Sequence, residues 1–313
     1  MTGPGTRKPT GRPDTEIDAC LSRREMLRNS FYTLAGCSLL SFGCNRSEPG
    51  RETSAKRTGL RIGVCDWSIR KRGDVDALKV AAGFGFDGVQ ISMGTAADDM
   101  RLRNPELQRA YLDYSQETGV SLASLAIGEL NNVPYKSDDR AAQWVLDSID
   151  VCKALGLKVV LLAFFNDGDL KNDEQGTDVV VERLRTAAPL AEKAGVALGI
   201  ESWLSADEHL DIIDRVGSPA LKVYYDLGNS AKMAYDIYAE VERLGRLGLI
   251  CELHAKDYEG LFGSGVIDFA RIRTILDDIG FDGWINAEPV KSPLGFEESM
   301  RSDLAHLREV FAS

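Results

Sequence analysis

The chain has 313 residues, 44% of them hydrophobic, enough to bury one large core or two small ones. With 48 acidic against 37 basic side chains the net charge is −11, a field that repels nucleic acid and anionic lipid and argues against a nucleic-acid partner. Three histidines, His209, His254 and His306, are too few for a histidine-built zinc cluster, whereas a hard-cation site built from carboxylates stays open.

Residues 1–21 carry glycine, proline, threonine and charge with no apolar periodicity. Arg23 and Arg24 then precede a mildly apolar run over 31–43 that is too short to span a bilayer, a pattern similar to a twin-arginine export signal. The run carries two cysteines. Leu34-Ala35-Gly36-Cys37 has the better lipoprotein-box sequence, and Cys44 leaves the apolar stretch a more ordinary length, so Cys37 or Cys44 is the candidate lipid anchor. The expected destination is the periplasm, either free or as a membrane-anchored lipoprotein. Residues 45–58 are polar and aperiodic, as a linker should be. The chain thus divides into a signal and linker over 1–57 and one folded domain over 58–313. The cysteines of that domain, Cys65, Cys152 and Cys251, are odd in number and lack CxxC spacing, which suits small buried apolar residues better than a disulfide framework.

From residue 60 onward, short β-branched or apolar runs alternate with amphipathic helical stretches. Strands are expected over 61–66, 88–92, 121–126, 158–164, 197–202, 222–226, 250–254 and 284–288. Helical patterns cover 75–83, 106–118, 141–155, 179–194, 234–244, 269–278 and 297–311. Several helices run into a glycine stop and straight on into a strand, as in ALGLKVVLL and KAGVALGIES. Eight such units predict an α/β fold, a closed (β/α)8 TIM barrel. No GxGxxG follows the first strand, which counts against a dinucleotide-binding sheet.

Active sites of such barrels are assembled at the C-terminal ends of the strands. The last four strands here end in potential ligands: Glu201, Asp226, His254 and Glu288. Three carboxylates and one imidazole suit Mn²⁺, Mg²⁺ or Co²⁺ better than a structural zinc. Charged groups are rarely delivered by apolar runs without a partner or a metal to receive them.

At these residues the sequence resembles the sugar phosphate isomerase/epimerase superfamily, the xylose isomerase-like barrels that include ketose 3-epimerases. The resemblance spans about 59–313 and rests on GFDGVQIS, GIES, YYDLGN, HAKD, GSGVIDF and FDGWINAEP. It implies that Glu201, Asp226, His254 and Glu288 hold one divalent ion chelating a substrate carbonyl and an adjacent hydroxyl. It further implies that Glu201 and Glu288 are catalytic, one removing a proton to give a cis-enediolate and the other returning it from the opposite face. Return to a different atom gives aldose–ketose isomerisation instead.

Two positions depart from the family pattern. Asn229 stands where many epimerases carry histidine, and it can bond a hydroxyl but not act as an acid. Gln90 stands where relatives often carry glutamate, and as a substrate-binding residue it keeps a polar contact but no charge. Lys256 alternates to the same side as His254 and either reaches a substrate oxyanion or pairs with a neighbouring carboxylate. Trp67, Phe165 and Trp203 follow strand ends and serve either as a wall for a sugar ring or as core. Asp257 reads as a loop or cap residue, and His209 and His306 as surface or interhelical residues.

The expected ligand is a small carbohydrate, with homo-oligomerisation left open. One alternative keeps the metal and the first proton transfer but ends in loss of a β-leaving group, a lyase acting on a 3-keto-glycoside or inosose. A DNA-repair endonuclease of the same superfamily needs far more histidines than this chain has. A non-catalytic sugar-binding protein would have little reason to retain all four ligands.

Overall fold

The computed structural model describes residues 60–311. The expected export signal, the cysteines Cys37 and Cys44 and the linker lie outside the described residues. Eight strands form: β1 (Arg61–Cys65), β2 (Gly88–Ser92), β3 (Ser121–Ile127), β4 (Val159–Phe164), β5 (Ala197–Ser202), β6 (Leu221–Asp226), β7 (Ile250–Ala255) and β8 (Trp284–Ala287). All pair in parallel and in chain order, and β1 pairs with β8 to close the barrel. Each lies within one residue of its sequence-predicted bounds, because a fully buried parallel strand reads as a short apolar run.

The helices are α1 (Ala77–Phe84), α2 (Pro105–Thr118), α3 (Asp139–Leu155), α4 (Glu174–Ala194), α5 (Ala206–Val216), α6 (Leu227–Lys232), α7 (Ile237–Arg246), α8 (Phe269–Asp278) and α9 (Phe296–Phe311). The glycine stops act as their sequence context implies. Gly156 and Gly195 end α3 and α4 at φ 71° and 66°, left-handed values that cost an L side chain energy and glycine little. Their N–H groups return to carbonyls of the last helical turn, and the chain enters the next strand within three residues.

Two helices, α5 and α6, lie outside the expected helical stretches. α5 is set by a capping box in which Ser205 and Glu208 satisfy each other's backbone N–H. α6 is a short turn capped by Asp226 itself, whose Oδ1 accepts the Asn229 N–H at 2.8 Å. α7 starts three residues later than the expected 234–244, because Asp236 caps it by accepting from Tyr238 and Ala239 N–H.

Strand alternation divides the core into two layers. Along β4, Val160, Leu162 and Phe164 join the large apolar layer between barrel and helices, while Val159, Leu161 and Ala163 face inward. The inner layer is small, adding Ala126 and Tyr224, with Trp67 and Phe165 packed on it. That arrangement leaves the interior near the strand C-termini to polar side chains. Cys65 and Cys152 are buried, Cys251 is half-buried, and all three are free thiols. Among the described residues no helix is long and apolar enough to cross a membrane.

Candidate metal centre and active site

Register brings the strand-end groups together. Asp226 pairs with His254 across β6 and β7, and the Glu288 N–H, one residue past β8, donates to Ala255 O at 2.8 Å. Glu201, Asp226, His254 and Glu288 each turn one ligand atom toward a common point, and these atoms all lie within 4.8 Å of one another. His254 Nδ1 is at the centre, 2.9 Å from Glu201 Oε1, 3.3 Å from Glu288 Oε2 and 3.6 Å from Asp226 Oδ2. Lys256 lies beside them, 2.9 Å from Glu288 Oε2 and 3.3 Å from Asp226 Oδ2. Of its two sequence-stated alternatives, the lysine here makes the carboxylate pairing.

The electrostatics are those of a crowded, dry cluster. Burial pushes Glu201 up to about 7 against the opposing pull of His254. Burial also opposes the charge on Asp226, but Lys256, His254 and the Asn229 N–H hold its carboxyl well below the usual carboxylate range. His254 is raised well above an ordinary imidazole, since the groups around it outweigh its burial. Burial works against the Lys256 charge as well, and the carboxylates raise it in spite of that.

The residues fit a divalent cation. Asp226 Oδ2 is sealed from solvent with no hydrogen-bond partner. The Lys256 ion pair at 3.3 Å offsets part of the cost of burying it, and an oxygen that accepts no hydrogen bond keeps a lone pair for a cation. Three carboxylates with one imidazole are the donor set that hard or borderline divalent ions take.

Two members of the cluster, Glu201 and Glu288, line a cavity of about 340 Å³, and Asp226 and His254 are buried beside them. Trp67, Phe165, Trp203, Asn229 and Lys256 all line the cavity. Trp67 Nε1–H donates to Glu288 Oε1 at 2.9 Å, and Phe165 meets Trp203 edge to face at 4.9 Å between centroids. Asn229 Oδ1 accepts from the Tyr258 hydroxyl at 2.8 Å.

Gln90 is placed differently from the expectation that it touches substrate. It is completely buried and absent from the cavity wall, with Oε1 2.8 Å from His254 Nε2. The β2 residue that reaches the cavity is Ser92, two positions further along the same face. His209 also departs from its reading as a surface or interhelical residue. It is buried against β5, with Nε2 3.0 Å from Ser202 Oγ and Nδ1 3.0 Å from Ser205 O. His306, half-buried on α9, stacks edge to face on Phe269 of α8. Asp257 organises the loop after β7, accepting the N–H groups of Glu259 and Ile267.

Sequence reasoning missed much of the far wall. Arg72, Glu129, Asn131, Asn132, Asn166 and Tyr258 also line the cavity. Each lies a few residues beyond a strand end, which is the signal that would have found them. Their side chains are mostly neutral amides and hydroxyls, suited to bonding sugar hydroxyls.

Comparisons with known proteins point the same way. A family model described as the xylose isomerase-like TIM barrel matches residues 78–310. The chain is 27% identical over 177 residues to the 2-epi-5-epi-valiolone 7-phosphate 2-epimerase of an Actinoplanes species, covering 56% of this chain and 65%, just under two thirds, of that protein. It is 25% identical over 227 residues to the L-ribulose-5-phosphate 3-epimerase UlaE of Escherichia coli, covering 67% of this chain and 79% of that one. In fold it resembles the 3-keto-D-glucoside 4-epimerase YcjR of E. coli, with TM-score 0.66 at 14% identity over 80% of this chain and 99% of that one. It also resembles the D-psicose 3-epimerase of Clostridium cellulolyticum H10, solved with D-tagatose, with TM-score 0.65 at 18% identity over 81% and 100%.

Proposed function

We propose, given that this chain belongs to the xylose isomerase-like TIM barrel family, that it is a divalent-metal-dependent epimerase or isomerase of a small carbohydrate. The observation that carries this reading is the convergence of four donor groups, two of which, Glu201 and Glu288, line a polar cavity. The names of its relatives support it, since those proteins are sugar epimerases. They favour return of the proton over loss of a leaving group, and so weigh against the lyase alternative.

Glu201, Asp226, His254 and Glu288 would hold the ion. When bound, a divalent ion there supplies Lewis-acid stabilisation of a substrate oxyanion. Glu201 is the penultimate residue of β5 and Glu288 follows β8, so the two carboxylates enter the site from strands three places apart around the ring. One takes the proton beside a substrate carbonyl and the other returns it. Trp67 holds Glu288 through its indole N–H, which fixes the direction from which that carboxylate meets the substrate. Lys256 neutralises charge beside Glu288 and Asp226, and Asn229 with Tyr258 forms a hydrogen-bonding edge. Phe165 and Trp203 supply an apolar wall. The twin-arginine-like segment and Cys37 or Cys44 remain our reading for export and anchoring.

The experiment is incubation of metal-supplemented protein in D₂O with paired unphosphorylated and phosphorylated ketoses, followed by NMR. Deuterium entering carbon beside the carbonyl, with a new epimer or aldose, is the expected outcome. Metal-loaded protein that exchanges no carbon-bound hydrogen across the panel would contradict it.

A further inference from the structure

One layer beneath the four donor groups runs a row of polar side chains that the proton-transfer reading does not use. Glu252 precedes His254 by two residues on β7 and shares its face, while Gln90 comes from β2 and Ser124 from β3. All are sealed from solvent, Glu252 at 2% exposure and Gln90, Ser124 and His254 at 0%. They are linked end to end. His254 Nε2 lies 2.8 Å from Gln90 Oε1, Gln90 Nε2 3.0 Å from Ser124 Oγ, and Ser124 Oγ 2.6 Å from Glu252 Oε2.

The direction of this chain is set from its lower end. Asn286 Nδ2, which can only donate, also points at Glu252 Oε2 from 2.9 Å, so that oxygen is an acceptor. It would accept equally if the carboxyl carried a proton on its other oxygen. Ser124 therefore gives its single hydroxyl proton to Glu252, and its oxygen is left to accept. The Gln90 atom facing Ser124 must then be the amide nitrogen, which turns the amide oxygen toward His254. The Cys65 Sγ lies 3.4 Å from that same Gln90 oxygen, to which its thiol donates, and 3.4 Å from His254 Nε2, where the sulfur is a second acceptor facing the ring N–H. An imidazole nitrogen facing a carbonyl oxygen in a dry site keeps its proton.

We propose that Glu252, Ser124 and Gln90 form a directed hydrogen-bond relay that holds the His254 proton on Nε2 and thereby presents Nδ1 to a divalent cation. The three are positioning residues, acting through His254 from strands on both sides of the barrel. The relay rests on the reading of Glu201, Asp226, His254 and Glu288 as a metal site. Neutral partners of a metal-bound histidine commonly set its tautomer and ring orientation, and their loss typically weakens metal affinity about 10–100-fold.

The test is titration of Mn²⁺ into the full chain and into Ser124→Ala, Gln90→Leu and the double variant. Gln90→Leu should weaken binding about 10–100-fold, and Ser124→Ala, which does not touch His254, by about 10-fold. The double variant should bind no more weakly than Gln90→Leu alone, because the two act in series. With three histidines in the chain, ¹⁵N NMR of the unsubstituted Mg²⁺-loaded protein reads the tautomer directly, and the expected proton is on Nε2 of His254. A proton on Nδ1, an unchanged Ser124→Ala, or losses that multiply in the double variant would each overturn the relay. If the parent binds no Mn²⁺ the metal reading falls and takes the relay with it. If the parent binds and Ser124→Ala binds equally well, only the relay falls.

Discussion

Asp66 and Asp226 both stand at the C-terminal end of a barrel strand, both are buried, and they do opposite things. Asp66 follows β1 and is surrounded by neutral donors: Oδ2 accepts the N–H of Gly73 at 2.9 Å and of Ser92 at 2.7 Å, and Oδ1 accepts the Ser92 hydroxyl at 2.7 Å. Its oxygens are both occupied in tying β1 to β2, although burial still pushes the carboxyl up to about 6. Asp226 spends Oδ1 on capping α6 and turns Oδ2, which has no hydrogen-bond partner, toward His254 and the Lys256 ammonium, with which it forms an ion pair. The difference teaches that a strand-end carboxylate becomes a candidate ligand where its neighbours leave a lone pair over. Position at the mouth of the barrel does not suffice.

The largest expected effect lies on the functional side of that contrast. Glu201→Gln and Glu288→Gln keep an oxygen for a cation but remove a basic carboxylate. Each should slow exchange of substrate hydrogen with solvent deuterium by about 10²–10⁴-fold while some metal remains bound. Exchange at the parental rate in fully metal-loaded variants would show that neither glutamate is the base.

On the structural side, Asp66→Ala orphans two buried backbone N–H groups. Denaturant unfolding should register a loss of about 2–6 kcal/mol, at about 1–3 kcal/mol per unsatisfied buried donor. A variant as stable as the parent would remove the distinction between the two aspartates.

A third buried polar group, His209, sharpens the comparison through pH. Burial depresses its imidazole to about 4, so the folded state keeps it neutral where the unfolded chain takes up a proton. Its neutral form therefore costs nothing above about pH 6.5, and stability falls as pH drops from there toward 4, by about 3 kcal/mol at most. In His209→Gln, thermal melts across that window should show a shallower fall; an unchanged pH profile would mean His209 does not titrate this way.

The smallest effect concerns residues 1–57. Their composition reads as signal and linker, and deleting them is expected to leave the melting temperature essentially unchanged. A large drop would place part of the fold in that segment.

Much of this was legible in the chain. The eight strands announced themselves as apolar runs between glycine stops, and Glu201, Asp226, His254 and Glu288 as acidic or imidazole groups closing four of those runs. Helix α5 was passed over although Ala206, His209, Ile212 and Ile213 recur at helical spacing on its buried face and the capping box of Ser205 with Glu208 marks its start. Gln90 was expected to contact substrate because relatives often carry glutamate at that position, whereas depth along the barrel axis decides whether the side chain meets substrate or His254. Glu252, Ser124 and Asn286 were visible as polar residues inside apolar strands, but only the register between strands shows that they bond to one another. The cavity's amide-rich wall depends on loops, whose approach to the site no periodicity reports.

The central claim is that left-over lone pairs at the barrel mouth hold one divalent ion, and calorimetric titration of Mn²⁺ tests it most directly. The account predicts one equivalent bound by the parent and by Asp66→Ala. Asp226→Ala and His254→Ala, which delete ligands outright, should bind far more weakly and recover part of their activity in excess metal. Parental affinity in both ligand-deleted variants, or no binding by the parent, would contradict it.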